Sequence, residues 1–112
     1  MELRIEQVAA RVTRAIPVGR WDVKGAAEID LRLSAITATS GAIIIDLAEV
    51  TYLASMGIRS IVMGAKSATI RGGRLVLLSP LPMVEEVLKI AGIDQLVPIY
   101  HDLDEATVAV SS

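Results

Sequence analysis

The run Ala42-Ile43-Ile44-Ile45-Asp46-Leu47 constrains this chain more than any other segment. It follows Gly41, is rich in β-branched residues, and is apolar at every position but Asp46. A strand with one wet face would alternate apolar and polar residues. An unbroken apolar run suits a central strand covered on both faces. Such a strand needs helices to cover it, so the rest of the chain has to supply them. Arg74 to Leu78 reads as a second strand of the same kind.

The helices are legible from their period. From Lys24 to Ala38, Ala26, Ile29, Leu33 and Ile36 recur at helical spacing. Lys24, Glu28 and Arg32 stand four apart on the other face, where their charges can pair. A second helix starts near Met56, with Ile58, Ile61, Val62 and Ala65 as its buried stripe and Gly72-Gly73 as its stop. A third is expected to open at Ser79-Pro80, be lined by Val84, Val87, Leu88 and Ala91, and end at Gly92. Asp102 and Glu105 resemble a capping box for a last helix ending near Val110.

The remaining segments read as strands. Leu3 and Ile5 alternate with charged neighbours, and Val12, Ile16 and Val18 mark one face of a second strand over Arg11 to Val18, which Arg14 interrupts. Gly19-Arg20-Trp21-Asp22 breaks that pattern. Leu96 to Tyr100 is a short strand, placed at a sheet edge because Pro98 cannot donate to a ladder. The order β-β-α-β-α-β-α-β-α implies one α/β domain over residues 1–112. Its mixed sheet should hold four to five strands with about four helices, the later strands parallel through right-handed crossovers. With 112 residues, 53% of them hydrophobic, the chain can bury roughly two thirds of its unfolded surface.

Composition removes several functions. Eleven basic side chains against thirteen acidic ones give a net charge of −2, which provides no basic field for nucleic acid or an anionic membrane. There is no cysteine, hence no disulfide, thiolate zinc site or cysteine nucleophile. His101 is the only histidine, so one chain cannot build a multi-histidine metal site. No cofactor is expected. The longest pure aliphatic runs, Ala42 to Ile45 and Leu75 to Leu78, are far short of the roughly 20 residues of a membrane span. The charged alternation at the N-terminus is unlike a signal peptide. The expected location is the cytoplasm.

The stretch from Ile45 to Arg59 leaves a central strand, crosses a loop and enters a helix, the place where open α/β sheets meet ligands and partners. Ser55 sits at the helix mouth. Its plain role is a cap, worth about 1 kcal/mol. A phosphate on its hydroxyl would instead place about −1.5 to −2 charge beside unpaired N–H donors and before any partner packed there.

The segment Asp46-Leu-Ala-Glu-Val-Thr-Tyr-Leu-Ala-Ser-Met-Gly-Ile-Arg resembles the signature loop of STAS domains, the anti-sigma factor antagonists. Asp22, after Gly19, stands where that family carries an aspartate behind its second strand. The likeness covers roughly Leu3 to Val110, and the element order agrees. It implies a protein that binds an anti-sigma factor, often itself a serine kinase, when unphosphorylated. Phosphorylation releases it, and a phosphatase resets the switch. By position Ser55 is the implied phosphoacceptor, with Asp22, Ala54, Met56, Gly57, Ile58 and Arg59 at the partner surface. The family usually carries aspartate where this chain has Ala54. Alanine can neither orient the serine hydroxyl nor contact a kinase. This raises an alternative: a constitutive STAS subunit of a larger signalling or lipid-transport assembly, never phosphorylated.

Plainer roles compete for several residues. Asp46 is expected to hold the loop through backbone N–H groups, and would partly replace the missing aspartate if it reached Ser55. Leu53-Ala54-Ser55-Met56-Gly57 keeps only one glycine of a Gly-x-Ser-x-Gly nucleophile elbow, and its base would have to be His101, so no enzyme is expected. Gly72-Gly73 follows a helix and lacks the lysine of a phosphate loop. Trp21 is read first as a core anchor and second as an interface residue.

Overall fold

The computed structural model describes residues 1–111. In chain order its elements are β1 (Glu2–Ala9), β2 (Val12–Trp21), α1 (Val23–Thr39), β3 (Ala42–Asp46), β4 (Val50–Leu53), α2 (Ser55–Ile70), β5 (Arg74–Leu78), α3 (Pro82–Ile90), a 3-10 turn at Ile93–Gln95, β6 (Ile99–Tyr100) and α4 (Leu103–Ser111). Five strands lie in the order β1-β2-β3-β5-β6, and β4 pairs with β2 beside that path. Only the β1–β2 pair is antiparallel.

The unbroken apolar strand sits where its composition demands. β3 is buried at all five positions, between β2 and β5. Its alternate residues serve two cores. Ile43 and Ile45 pack with Leu75 and Leu77 beneath α1, α2 and α3, and with Ile29, Leu33, Ile61, Val84 and Leu88. Ile44 packs with Val12, Val76 and Leu78 beneath α4, against Ala106 and Val110. Three helices therefore cover one face and one covers the other. No helix of the described residues is long and apolar enough to cross a membrane.

Several boundaries differ from the sequence expectation, each for a local reason. The β1–β2 turn needs no glycine because Arg11 itself takes the left-handed conformation, φ 64°. β2 does not stop at Val18. Gly19, at φ 113°, sits at a register shift, after which the strand runs on to Trp21 against β4, a strand absent from the sequence reading. α3 starts later than Ser79-Pro80. Ser79 has φ 51° and donates its N–H to Tyr100, while Pro82 takes the first helical turn behind Leu81. Val84 and Leu88 are its buried residues; Val87 and Ala91 lie on the exposed side. Ile58, Val62 and Ala65 of α2 are half-buried against the core, whose fully buried α2 contacts are Gly57, Ser60, Ile61, Gly64 and Ala68. On α1, Arg32 donates to the Leu3 carbonyl at 2.9 Å. The strand expected over Leu96 to Tyr100 is reduced to Ile99–Tyr100, after the 3-10 turn. Asp102 caps α4, accepting from the Asp104 and Glu105 N–H groups at 2.7 and 3.2 Å.

Candidate functional site

Trp21 closes β2, Leu53 closes β4, and the two residues are partners in a parallel register. Each strand then feeds a helix, so the mouths of α1 and α2 stand side by side. The Ala54 N–H donates to the Trp21 carbonyl at 3.0 Å and stitches them together.

The two mouths differ chemically. Asp22 is the N-cap of α1, and its Oδ1 accepts from the Gly25 N–H at 2.9 Å. That backbone bond, opposed by partial desolvation and helped by the Arg20 charge 3.6 Å away, holds the Asp22 carboxyl below its ordinary pKa. The N-cap of α2 is Ala54. It has the extended backbone of a cap, φ −104° and ψ 176°, but no side-chain acceptor. The first-turn N–H groups therefore keep their partial positive charge without a carboxylate to meet it.

Ser55 is thus not the cap. The Trp21–Leu53 pairing holds the chain extended through Leu53, so the cap falls on Ala54 and Ser55 becomes the first helical residue. It is exposed, and its hydroxyl makes no hydrogen bond with any described residue. Of the next four residues, only Arg59 is exposed, on the side of a groove shared with α1 that also holds Asp30 and Ser60. Met56 and Ile58 are half-buried against the core. Gly57 is fully inward and belongs to the packed floor of the mouth rather than to a surface a partner can touch. A Cβ there would lie 2.6 Å from Leu53 Cδ1 and 2.8 Å from both the ring and the carbonyl of Trp21.

Trp21 is therefore the floor under the α2 mouth. It is completely buried, and its Nε1–H is the one buried side-chain polar atom without a partner among the described residues. Beside it on the surface, the Arg20 guanidinium lies 4.2 Å from the centre of the Tyr52 ring. This contact has no local signal in the sequence, because it depends on the β2–β4 pairing.

Asp46 makes no hydrogen bond to Ser55. It stands two residues beyond Ile44 on β3 and so points to the same face, toward α4. Arg14 donates to its Oδ2 from Nε at 3.0 Å and from the terminal nitrogen at 2.5 Å, and the Ala48 N–H donates to Oδ1 at 3.0 Å. Both oxygens are engaged, so this carboxylate does not replace the one missing at Ala54. Arg14 also lies 3.3 Å from Glu6. It was the residue that interrupted the apolar face of β2, and a cation in such a place needs a buried anion. Asp46, the one charge inside the central apolar run, was available to be that anion. His101 is also remote in its bonding: its Nε2 lies 2.8 Å from Glu85 on α3, and it makes no hydrogen bond to Ser55. The bond to His101, opposed by desolvation and helped by the bond to Lys89, holds the Glu85 carboxyl below its ordinary pKa.

The STAS domain family model matches residues 5–106. No curated protein matches the chain by sequence. Among solved structures, a proposed anti-sigma factor antagonist from Thermotoga maritima superposes with a TM-score of 0.89 at 24% identity, over 98% of this chain and 95% of that one. The anti-sigma factor antagonist SpoIIAA of Bacillus, in its unphosphorylated form, gives 0.80 at 20% identity, over 98% and 96%. The murine anion transporter Slc26a9 gives 0.73 at 15% identity, over 94% of this chain but only 18% of the transporter. The family model spans most of the sequence, and this chain belongs to the STAS domain family.

Proposed function

We propose that this protein is a cytoplasmic anti-sigma factor antagonist, a binding switch rather than an enzyme. Unphosphorylated, it docks an anti-sigma factor that is also a serine kinase against the adjoining mouths of α1 and α2. Ser55 and Arg59 are its exposed contacts, with Asp22, Arg20 and Tyr52 beside them. Phosphorylation of Ser55 ends that binding, and a phosphatase restores it.

The observation that carries this reading is the state of Ser55: exposed, first in α2, with a hydroxyl bonded to no described residue. A dianion there is tolerated by the fold, since the uncapped first turn favours negative charge. It is not tolerated by a complementary partner. A tenfold loss of affinity needs only about 1.4 kcal/mol, which a misplaced dianion readily supplies. The name of SpoIIAA in its phosphorylated form supports the same reading for a relative.

The test is the affinity of Ser55→Asp and Ser55→Ala for a cognate anti-sigma factor. The aspartate variant should lose binding by tenfold or more, while the alanine variant retains it. Equal binding by wild type and Ser55→Asp would refute the switch. Phosphopeptide mass spectrometry on protein from its native cells would show whether the modification occurs.

Ala54 favours a second reading. With no carboxylate beside Ser55, the same surface would serve a fixed STAS subunit of a larger signalling or lipid-transport assembly. The Slc26a9 likeness shows that this fold also occurs within a larger chain. Stable co-purification of such an assembly, indifferent to Ser55→Asp, would identify it.

A further inference from the structure

At the opposite end of the sheet from Ser55, where β2, β3 and β5 begin, lies an open cleft of about 840 Å³. Its volume falls within the range of small-molecule sites. Arg11, Arg71 and Arg74 line it, together with the hydroxyl residues Thr13 and Ser40. No acidic side chain lines it, and none of the three guanidiniums forms an ion pair among the described residues. The chain's net charge of −2 conceals this local concentration.

The ordinary explanation for arginines here is the helix dipole. The C-terminal ends of α1, α2 and α4 all reach the cleft, at Ser40, Arg71 and Ser111. Each helix end carries about −0.5 charge, about −1.5 for the three. Three guanidiniums exceed that, leaving a surplus of about +1.5 in a concave, partly shielded place. Arg74 also donates to the Ala109 carbonyl at 3.2 Å, which accounts for one of its donors. The donors left over on three forked side chains match the oxygens of a phosphate. The Thr13 and Ser40 hydroxyls, 3.1 Å apart, bond each other, and Ser40 donates to the Ala42 carbonyl at 3.2 Å, so recognition falls to the guanidiniums. None of the chain's aromatic residues lines the cleft, so it has no platform for stacking a base.

We propose that this cleft is a binding site for a phosphate-bearing ligand, recognised through the phosphate rather than through an aromatic ring. Both a soluble phosphorylated metabolite and a phospholipid headgroup present that chemistry.

The test uses the full chain and follows backbone amide resonances. Inorganic pyrophosphate should produce saturable shifts centred on Gly41, Gly72 and Gly73, weakening as salt rises. Arg71→Gln and Arg74→Gln should each weaken it about tenfold or more. Lys66→Gln, which removes the same charge from the exposed side of α2, should not. In parallel, co-sedimentation with phosphatidylcholine vesicles, with and without phosphatidic acid, separates the two sources. Arginine-dependent capture by the acidic vesicles alone assigns a lipid headgroup; pyrophosphate binding without capture assigns a soluble ligand. The amide spectrum reports folding, and because Arg74 holds Ala109, the Arg71 variant decides if the Arg74 variant unfolds. No saturable response to either probe, or an equal loss in Lys66→Gln, overturns the proposal.

Discussion

Replacing Gly57 with alanine adds one methyl group at the most crowded point of the α2 mouth. The new Cβ would stand 2.6 Å from Leu53 Cδ1 and 2.8 Å from both Trp21 Cγ and the Trp21 carbonyl. Carbon contacts are comfortable at about 3.5–4.0 Å. The leucine methyl can rotate aside. The indole cannot, because Trp21 is completely buried, and its carbonyl is fixed by the Ala54 N–H at 3.0 Å. The first turn of α2 must therefore lift by roughly 1 Å, within the 1–3 kcal/mol usual for an overpacked core and toward the upper part of it. Helix propensity returns less than about 1 kcal/mol. The net loss is about 2 kcal/mol, which in a 112-residue domain lowers Tm by about 8 °C. Urea unfolding followed by the emission of Trp21, the only tryptophan, reads both the stability and the altered floor. Gly64→Ala is the internal comparison. Its Cβ meets only side-chain methyls, at 3.3 and 3.5 Å, so its stability should stay within about 0.5 kcal/mol of wild type. A Gly57→Ala protein as stable as the parent, with unchanged emission, would refute the claim that close packing dictates this glycine.

Three further outcomes follow from the geometry. Ala54→Asp supplies the missing acceptor at a backbone already in cap conformation, and should raise stability by about 1 kcal/mol in thermal unfolding; no gain would mean the first-turn N–H groups are already satisfied. Arg14→Met strands the buried Asp46 carboxylate and should cost about 3 kcal/mol in denaturant unfolding, and a loss below about 1 kcal/mol would show that the pair contributes little. Asp22 has a depressed folded pKa, so its ionised form contributes stability that is fully present above the ordinary value of 3.8 and is lost as pH falls through the folded value. Asp22→Ala should accordingly be less stable than wild type at neutral pH, with the gap closing in strong acid; a gap independent of pH would remove the charge from the argument.

How much of this was visible in the sequence depends on the distance over which each signal acts. The helical faces of α1 and the glycine stop after α2 depend on neighbours a few residues apart, and they were legible. So was the two-sided burial of β3. β4 was not. It has only four residues, its central Thr51 and Tyr52 are exposed, and its partner is the far end of a strand, beyond the break in pattern at Gly19. The offset at Ser55 has the same origin. A serine before a helix reads as a cap, and only the Trp21–Leu53 pairing shifts the cap to alanine. At the site, the sequence brought out the loop residues as a group, but it could not tell inward Gly57 from outward Ser55 and Arg59.

The two ends of α2 have a consequence for how such a protein can change over time. Gly57 lets the helix touch the Trp21 carbonyl at one end. Gly73, just past the other end, lies so near Gly41 that a Cβ would fall 1.8 Å from its carbonyl oxygen. The 16-residue helix held at these two points, about 24 Å long, is thus a strut cut to length between two backbone abutments. Its outer surface is free to drift in composition. Its length is not: one inserted residue would turn the far half by about 100° and push it 1.5 Å along its axis. Descendants of this chain should vary in the letters of α2 and not in their number.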